Sequence, residues 1–279
     1  MIKIEKPQEG DDTRTWGPPF VQVGSTNFSG YFLCTNRNKK SVTVNFKNDK
    51  GREIVERLAK VSDVLIENYA VGTLQKMGLG YEDIRKLNPD IVYCSITGFG
   101  QTGPLSSRPG YDFLAQGLGG IMSITGPKES SPPPHPASPF SSESQSESNQ
   151  PFKIGVALTD IMTGLYASNG ILASIISRDH EIGNRKSSFG DLDAHQVRER
   201  NLGAGRHIDL GLFDVQLGVL ANQGMNYLLT GRAPRRLGNS HPSISPYDSC
   251  RAKDGHIILA VGNNEQVFGS ALLLCFPTR

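Results

Sequence analysis

The sequence predicts an α/β fold: a doubly wound, mostly parallel sheet with helices on both faces, followed by part of a smaller α+β domain. Three observations carry this. Short apolar runs alternate with helix-spaced segments through the first hundred residues. The runs Val64-Leu65-Ile66 and Ile91 to Ile96 are too apolar for strands with a solvent face and read as buried. A further strand-then-helix pair follows at Arg206 to Thr230. Such alternation builds parallel sheets covered by helices.

Taken in order, Ile2 to Glu5 reads as a strand beginning almost at the first residue. Val42 to Phe46 alternates apolar and polar side chains, as a strand does. Asn48-Asp49 precedes Ile54, Val55, Leu58 and Val61 at helical spacing, with Asp49 the expected N-cap. After the strand at 64–66, Tyr81 to Leu87 is a short helix stopped by Asn88-Pro89. Pro127 to Gln150 is rich in Ser, Pro and Glu and cannot bury enough apolar surface to offset its ordering entropy, so it is expected to be a disordered loop. The segment Phe152 to Arg178 holds a helix that starts at or near Asp160, and the polar stretch 179–202 reads as an inserted loop. A strand at Arg206 to Leu210 and one helix from Leu212 to Thr230 follow, with Gly231 and Pro234 ending that helix. Gly238 to Tyr247 is a loop and His256 to Val261 a last strand. The expected division is a large α/β domain over 1–178, the insertion at 179–202, and the rest of the large-domain segment with a linker and a partial small domain over 203–279.

Length and composition bound the function. With 279 residues and 37% hydrophobic content, a sizeable core is possible. A net charge of +2 without any run of like charges gives no reason to expect nucleic acid. No stretch reaches the roughly 18 uninterrupted apolar residues of a membrane span, and no basic-then-apolar leader precedes Ile2. The four cysteines, Cys34, Cys94, Cys250 and Cys275, form no CxxC pair, so neither a metal site nor a disulfide framework is expected.

Gly98-Phe99-Gly100-Gln101-Thr102-Gly103 matches the glycine pattern of a dinucleotide-binding turn directly after a strand. That mechanism requires a helix N-terminus to meet the pyrophosphate. Pro104, Ser106, Ser107 and Pro109 follow instead, which is a loop. The glycines are better read as letting the backbone pass close to a neighbouring group.

From Ile154 to Ser177 there is one charged residue, Asp160. Ile161, Leu165, Leu172, Ile175 and Ile176 follow it at broadly helical spacing, placing Asp160 at or near the start of a largely buried helix. An N-cap aspartate is the plain reading. The functional reading is a nucleophilic carboxylate in an apolar setting, kept ionised by the helix dipole. Spacing allows both.

Several stretches bear on that choice: Gly10 to Arg14, Asn36 to Ser41, Glu67-Asn68-Tyr69, Met77 to Tyr81, Thr97 to Pro104, Gly110-Tyr111-Asp112 and Gly155 to Gly164. In this order they resemble the class III CoA-transferases, the family of formyl-CoA and carnitine CoA-transferase. The likeness is greatest to the branch that exchanges CoA between succinate and glutarate. The resemblance implies that 1–178 is a CoA-binding domain and that Asp160 is the catalytic carboxylate. It attacks an acyl-CoA, passes through an aspartyl-CoA thioester, and delivers CoA to a second carboxylic acid. It also implies that Lys6, Val44, Lys47, Asn68, Tyr69, Lys76, Met77 and Arg108 contact CoA, the cations pairing with its phosphates, and that Tyr111 lines the acyl pocket. No metal and no tightly bound cofactor are expected; the CoA thioester is a substrate, and the partners are an acyl-CoA and a small carboxylic acid.

The same fold includes acyl-CoA racemases, which need an acid–base pair and carry histidine where Tyr111 stands here. A tyrosine is too weak a base at neutral pH, which favours transfer over racemisation. Relatives begin with a strand and helix that have no counterpart before Ile2, and the resemblance fades from Val267 onward. The chain is therefore expected to be a shortened member, and a catalytically inactive remnant is a further alternative. Relatives are homodimers, an assembly doubtful for a shortened chain. Location is expected to be mitochondrial by resemblance and otherwise cytoplasmic.

Overall fold

The computed structural model describes residues 1–129, 150–200 and 202–266. The expected loop at 127–150 falls almost wholly outside them, as do Val267 to Arg279 and Cys275. The elements are β1 (Ile2–Glu5), β2 (Phe20–Val23), β3 (Thr26–Ser29), α1 (Gly30–Asn36), β4 (Lys40–Thr43), α2 (Asp49–Lys60), β5 (Val64–Glu67), α3 (Thr73–Lys76), α4 (Tyr81–Leu87) and β6 (Val92–Thr97). Then come α5 (Asp112–Leu118), α6 (Ile121–Ile124), α7 (Leu158–Phe189), α8 (Ala194–Glu199), β7 (Arg206–Gly211), α9 (Leu212–Val219), α10 (Ala221–Thr230), β8 (Tyr247–Arg251) and β9 (His256–Ala260). The fold is mixed α/β, with parallel sheets flanked by helices. Among the described residues, no helix is long and apolar enough to cross a membrane.

The chain divides into two compact units: Met1–Ser95 with Ala167–Asp209, and Ile96–Tyr166 with Leu210–Arg279. The division falls within β6, α7 and β7.

In the first unit β1 pairs in parallel with β4, Ile2 opposite Lys40 and Glu5 opposite Thr43. β5 and β6 are also parallel, Val64 opposite Val92, with β6 between β5 and β7. β6 is almost fully buried, Ser95 and Thr97 included. Val44, Val55, Ala59, Leu74, Leu79, Ile84, Ile91 and Tyr93 form the core beside it. The Tyr93 hydroxyl, buried there, donates to the Leu79 carbonyl at 3.0 Å, which satisfies the one polar atom an aromatic of this kind brings inside. Asn88 does the same work at the surface of the core. Its amide donates to the carbonyls of Ala59 and Ser62, both at 3.0 Å, tying the end of α2 to the end of α4.

Several expectations shift. The strand expected at Val42 to Phe46 lies at Lys40–Thr43, because its hydrogen bonds are set by β1. Asn48, not Asp49, caps α2: its Oδ1 accepts from the Gly51 N–H at 2.8 Å. The β2–β3 hairpin was not legible, since its strands are short and wholly or mostly exposed.

The largest correction concerns 179–202. It is mostly helix, not loop: α7 continues through Phe189, and α8 follows. Polar helix faces are held by ion pairs here. Arg178 bridges Asp63 and Asp179, and Arg185 makes a two-pronged contact with Asp90 at 3.0 and 2.9 Å. Arg206 pairs with Glu181. Bidentate guanidinium–carboxylate geometry supplies the anchorage that apolar spacing would normally signal.

In the second unit, residues 98–109 form a loop with no helix until α5. A Cβ on Gly98 would lie 2.5 Å from the Gly110 Cα, so the glycines serve close backbone approach. Gly100, at φ +83°, is in the left-handed region that glycine alone enters without strain. The helix expected from Leu212 to Thr230 is two helices. Ala221, with φ +47°, breaks it after Leu220. Gly231 ends α10 in the left-handed conformation, φ +66°, as its position after a periodic segment implied.

Candidate active site

Asp160 is the third residue of α7. It is therefore inside the first turn, not the N-cap of the plain reading. Nor is the helix largely buried. Its buried residues in this stretch, Thr159, Thr163 and Ala167, follow one narrow i, i+4 stripe. Ile161, Leu165, Leu172 and Ile176 are all exposed, as is Asp160 itself.

The start of α7 is held by a second carboxylate, that of Asp112, which in sequence is no more than the last residue of Gly110-Tyr111-Asp112. Asp112, the first residue of α5, accepts the Thr159 N–H at 2.8 Å and the Asp160 N–H at 3.3 Å on one oxygen, Oδ1. Its other oxygen accepts from the Gln116 side-chain amide at 2.7 Å. The Gln116 Oε1 in turn takes the N–H of Ile154 at 2.9 Å. On a second side, the Thr159 hydroxyl donates to Gln216 Oε1 at 2.7 Å. Gln116, Thr159 and Gln216 are all completely buried. Apolar periodicity cannot reveal such a network, because its members are polar residues spread over 105 positions of sequence, from Asp112 to Gln216.

Asp160 therefore keeps a reachable carboxylate on a fixed backbone. Atoms packed around part of that side chain, and then the Asp112 charge, push its carboxyl up to about 6. The expected helix-dipole effect, which would favour the ionised form, is outweighed by these two. A carboxylate of this basicity is still mostly ionised at neutral pH and is a better nucleophile than an ordinary aspartate.

The remaining expected site residues fall in both units. In the first, Lys6 is exposed, and its Nζ is engaged by Glu9 at 2.7 Å and Asp12 at 2.9 Å. Lys47, Asn68 and Lys76 are exposed. Tyr69 is 41% exposed and meets Phe46 edge-on at 5.8 Å, while its N–H donates to Glu67 at 2.8 Å. Met77 packs against the core. Val44 lies in the core at 5% exposure and its N–H donates to the Glu5 carbonyl. In the second unit, Arg108 is exposed in the loop before α5, and Tyr111 is 71% exposed immediately before Asp112.

The sequence model of CoA-transferase family III matches residues 1–184 and 189–273, and the chain belongs to that family. The match runs past Gln266, where the resemblance was expected to end, and covers most of the stretch taken for an insertion. Succinate–glutarate CoA-transferase of Agrobacterium fabrum is 45% identical over 268 residues, 95% of this chain and 57% of the relative. Succinyl-CoA:glutarate CoA-transferase of Homo sapiens is 42% identical over 277 residues, 99% of this chain and 53% of the relative. The crystal structure of a CAIB/BAIF family protein from Brucella suis superposes with a TM-score of 0.74 at 44% identity, covering 98% of this chain and 62% of that one. The chain thus spans a little over half the length of the curated relatives it matches.

Proposed function

We propose that this protein moves CoA from an acyl-CoA such as succinyl-CoA to a dicarboxylic acid such as glutarate, with Asp160 as nucleophile. The observation that carries the reading is the exposed Asp160 carboxylate, fixed in the first turn of α7 and raised to about 6.

In the first step an Asp160 oxygen attacks the thioester carbonyl. The C–S bond breaks, CoA leaves as thiolate, and a mixed anhydride remains. The thiolate then attacks the Asp160 carbonyl of the anhydride. The donor acid departs as carboxylate, and aspartyl-CoA thioester is left. The acceptor carboxylate attacks that thioester, releasing thiolate and forming a second anhydride. Thiolate attack on the acceptor's acyl carbon completes the new acyl-CoA and frees Asp160. Splitting one exchange into four acyl transfers lowers each barrier. Lys6, Lys47, Lys76 and Arg108 are the proposed phosphate partners of CoA, Val44, Asn68, Tyr69 and Met77 its other contacts, and Tyr111 a wall of the acyl pocket. Lys6 would have to exchange Glu9 and Asp12 for phosphate.

Incubation with succinyl-CoA and glutarate, followed by mass spectrometry, should yield glutaryl-CoA. Asp160→Asn should reduce its rate at least about a thousandfold, as loss of a covalent nucleophile does. Equal rates from both proteins would sink the proposal.

A further inference from the structure

Asp112 has an arrangement that only a carboxylate satisfies. Its Oδ1 caps the start of α7 through the N–H groups of Thr159 and Asp160, and its Oδ2 takes a hydrogen bond from Gln116. An asparagine there would turn its amide nitrogen toward either the α7 N–H groups or the Gln116 amide nitrogen, setting donor against donor. Gln116 cannot rotate its amide to compensate, because its Oε1 already holds the Ile154 N–H and the residue is completely buried. Swapping the two ends would orphan that N–H inside the protein.

We infer that Asp112, clamped by Gln116, is a positioning residue that fixes the backbone of Asp160 and keeps a second negative charge beside it. The inference rests on the transferase reading for its catalytic meaning, though not for its test. Capping alone could be done by serine, threonine or asparagine. The Gln116 clamp is what demands the charged residue, and the charge makes Asp160 more basic. Asp112 is the charged side chain whose field bears on Asp160 among the described residues. Like charges held close raise the proton affinity of one member. In an acyl-transfer cycle a more basic carboxylate attacks a thioester more readily. Asp112 is thus the means by which the fold tunes a nucleophile that stays open to solvent.

The test is a titration of the side-chain carboxyl carbons by NMR, using the full chain labelled with carbon-13 aspartate and Asp160→Asn to assign the Asp160 signal. No CoA and no turnover are needed, so a chain without transferase activity is tested equally well. In the parent, Asp160 should titrate near 6. In Asp112→Asn its midpoint should fall by roughly one pH unit, and the Thr159 and Asp160 amides should exchange with solvent at least about tenfold faster. A second variant guards against misfolding: Asp112→Asn with Gln116→Glu. There the asparagine nitrogen donates to one glutamate oxygen while the other keeps the Ile154 N–H. The fold is retained, the charge moves one helical turn away, and the midpoint should again lie below the parent's. A folded variant of either kind with the parent's midpoint and the parent's amide exchange would overturn the inference. A lowered midpoint together with no glutaryl-CoA from the parent would instead uphold the positioning role and count against the transferase reading alone.

Discussion

Two acidic residues, one in each unit, show how opposite chemistry follows from the partners a fold supplies. Glu5, at the end of β1, has its side chain buried at 1% exposure. Arg14 grips both its oxygens at 2.7 and 2.8 Å, Ser41 donates at 2.7 Å, and the Asp11 N–H donates at 2.8 Å. The guanidinium foremost, with the Ser41 and Asp11 hydrogen bonds, overcomes burial and holds its carboxyl down at about 2. Asp160 is far more exposed, yet its carboxyl rises to about 6, because crowding and the neighbouring Asp112 act without a cation to offset them. Burial raises both carboxyls; at Glu5 the Arg14 guanidinium reverses it, and at Asp160 the like charge of Asp112 adds to it.

The comparison can be broken most forcefully at Glu5. Arg14→Ala leaves a buried carboxylate without its cation, and the guanidinium also stacks on the Phe32 ring at 4.0 Å. Urea denaturation should show a loss of about 3 kcal/mol, typical of removing one partner from a buried pair. A loss below about 1 kcal/mol would mean that Glu5 is satisfied without Arg14. Ser41→Ala is the finer cut. It removes one donor from the same carboxylate, and the expected loss is about 1–2 kcal/mol, the range for a hydrogen bond to a charged group. Because Glu5 is depressed, its contribution is complete above about 4.5 and disappears as pH falls toward about 2. The deficit of either variant should therefore shrink in acid between those values.

Much of the sheet and the place of Asp160 near the start of a helix were legible in the sequence, for different reasons. β6 is a mostly apolar run whose burial leaves a direct trace in residue type, whereas the equally apolar Val64-Leu65-Ile66 of β5, expected to be buried, is half-buried at Val64 and Leu65 and exposed at Ile66. Asp160 stood out as the lone charge between Ile154 and Ser177. What escaped were features stabilised by polar contacts between distant positions. The α7 extension to Phe189 rests on Arg178, Arg185 and Arg206 meeting Asp63, Asp90 and Glu181, so its polar residues resembled a loop. Asp112 reads in sequence as one acidic residue opening a helix, and nothing local reveals that it caps a different helix 47 residues away. The break at Ala221 is likewise invisible to periodicity, which carries on across it.

The smallest effect is also the most diagnostic, because its sign is opposite at the two carboxylates. Asp160 is raised in the folded protein, so its linkage to folding is fully present below its unfolded value near 3.9 and is lost as pH rises through about 6. Above that, the native state holds an ionised group that it disfavours relative to the unfolded chain. Asp160→Asn removes the ionisation while keeping the shape. The variant should therefore gain thermal stability over the parent at pH 8 and lose that gain at pH 4, whereas Glu5→Gln should be the worse of its pair at pH 8. Exposure of Asp160 screens the effect, so the gain should stay below about 1 kcal/mol. Melting temperatures of both variants and the parent at the two pH values read the difference directly. If Asp160→Asn were destabilising at pH 8, its carboxylate would be a native anchor like Glu5, and the view of Asp160 as a poised nucleophile would lose its physical basis.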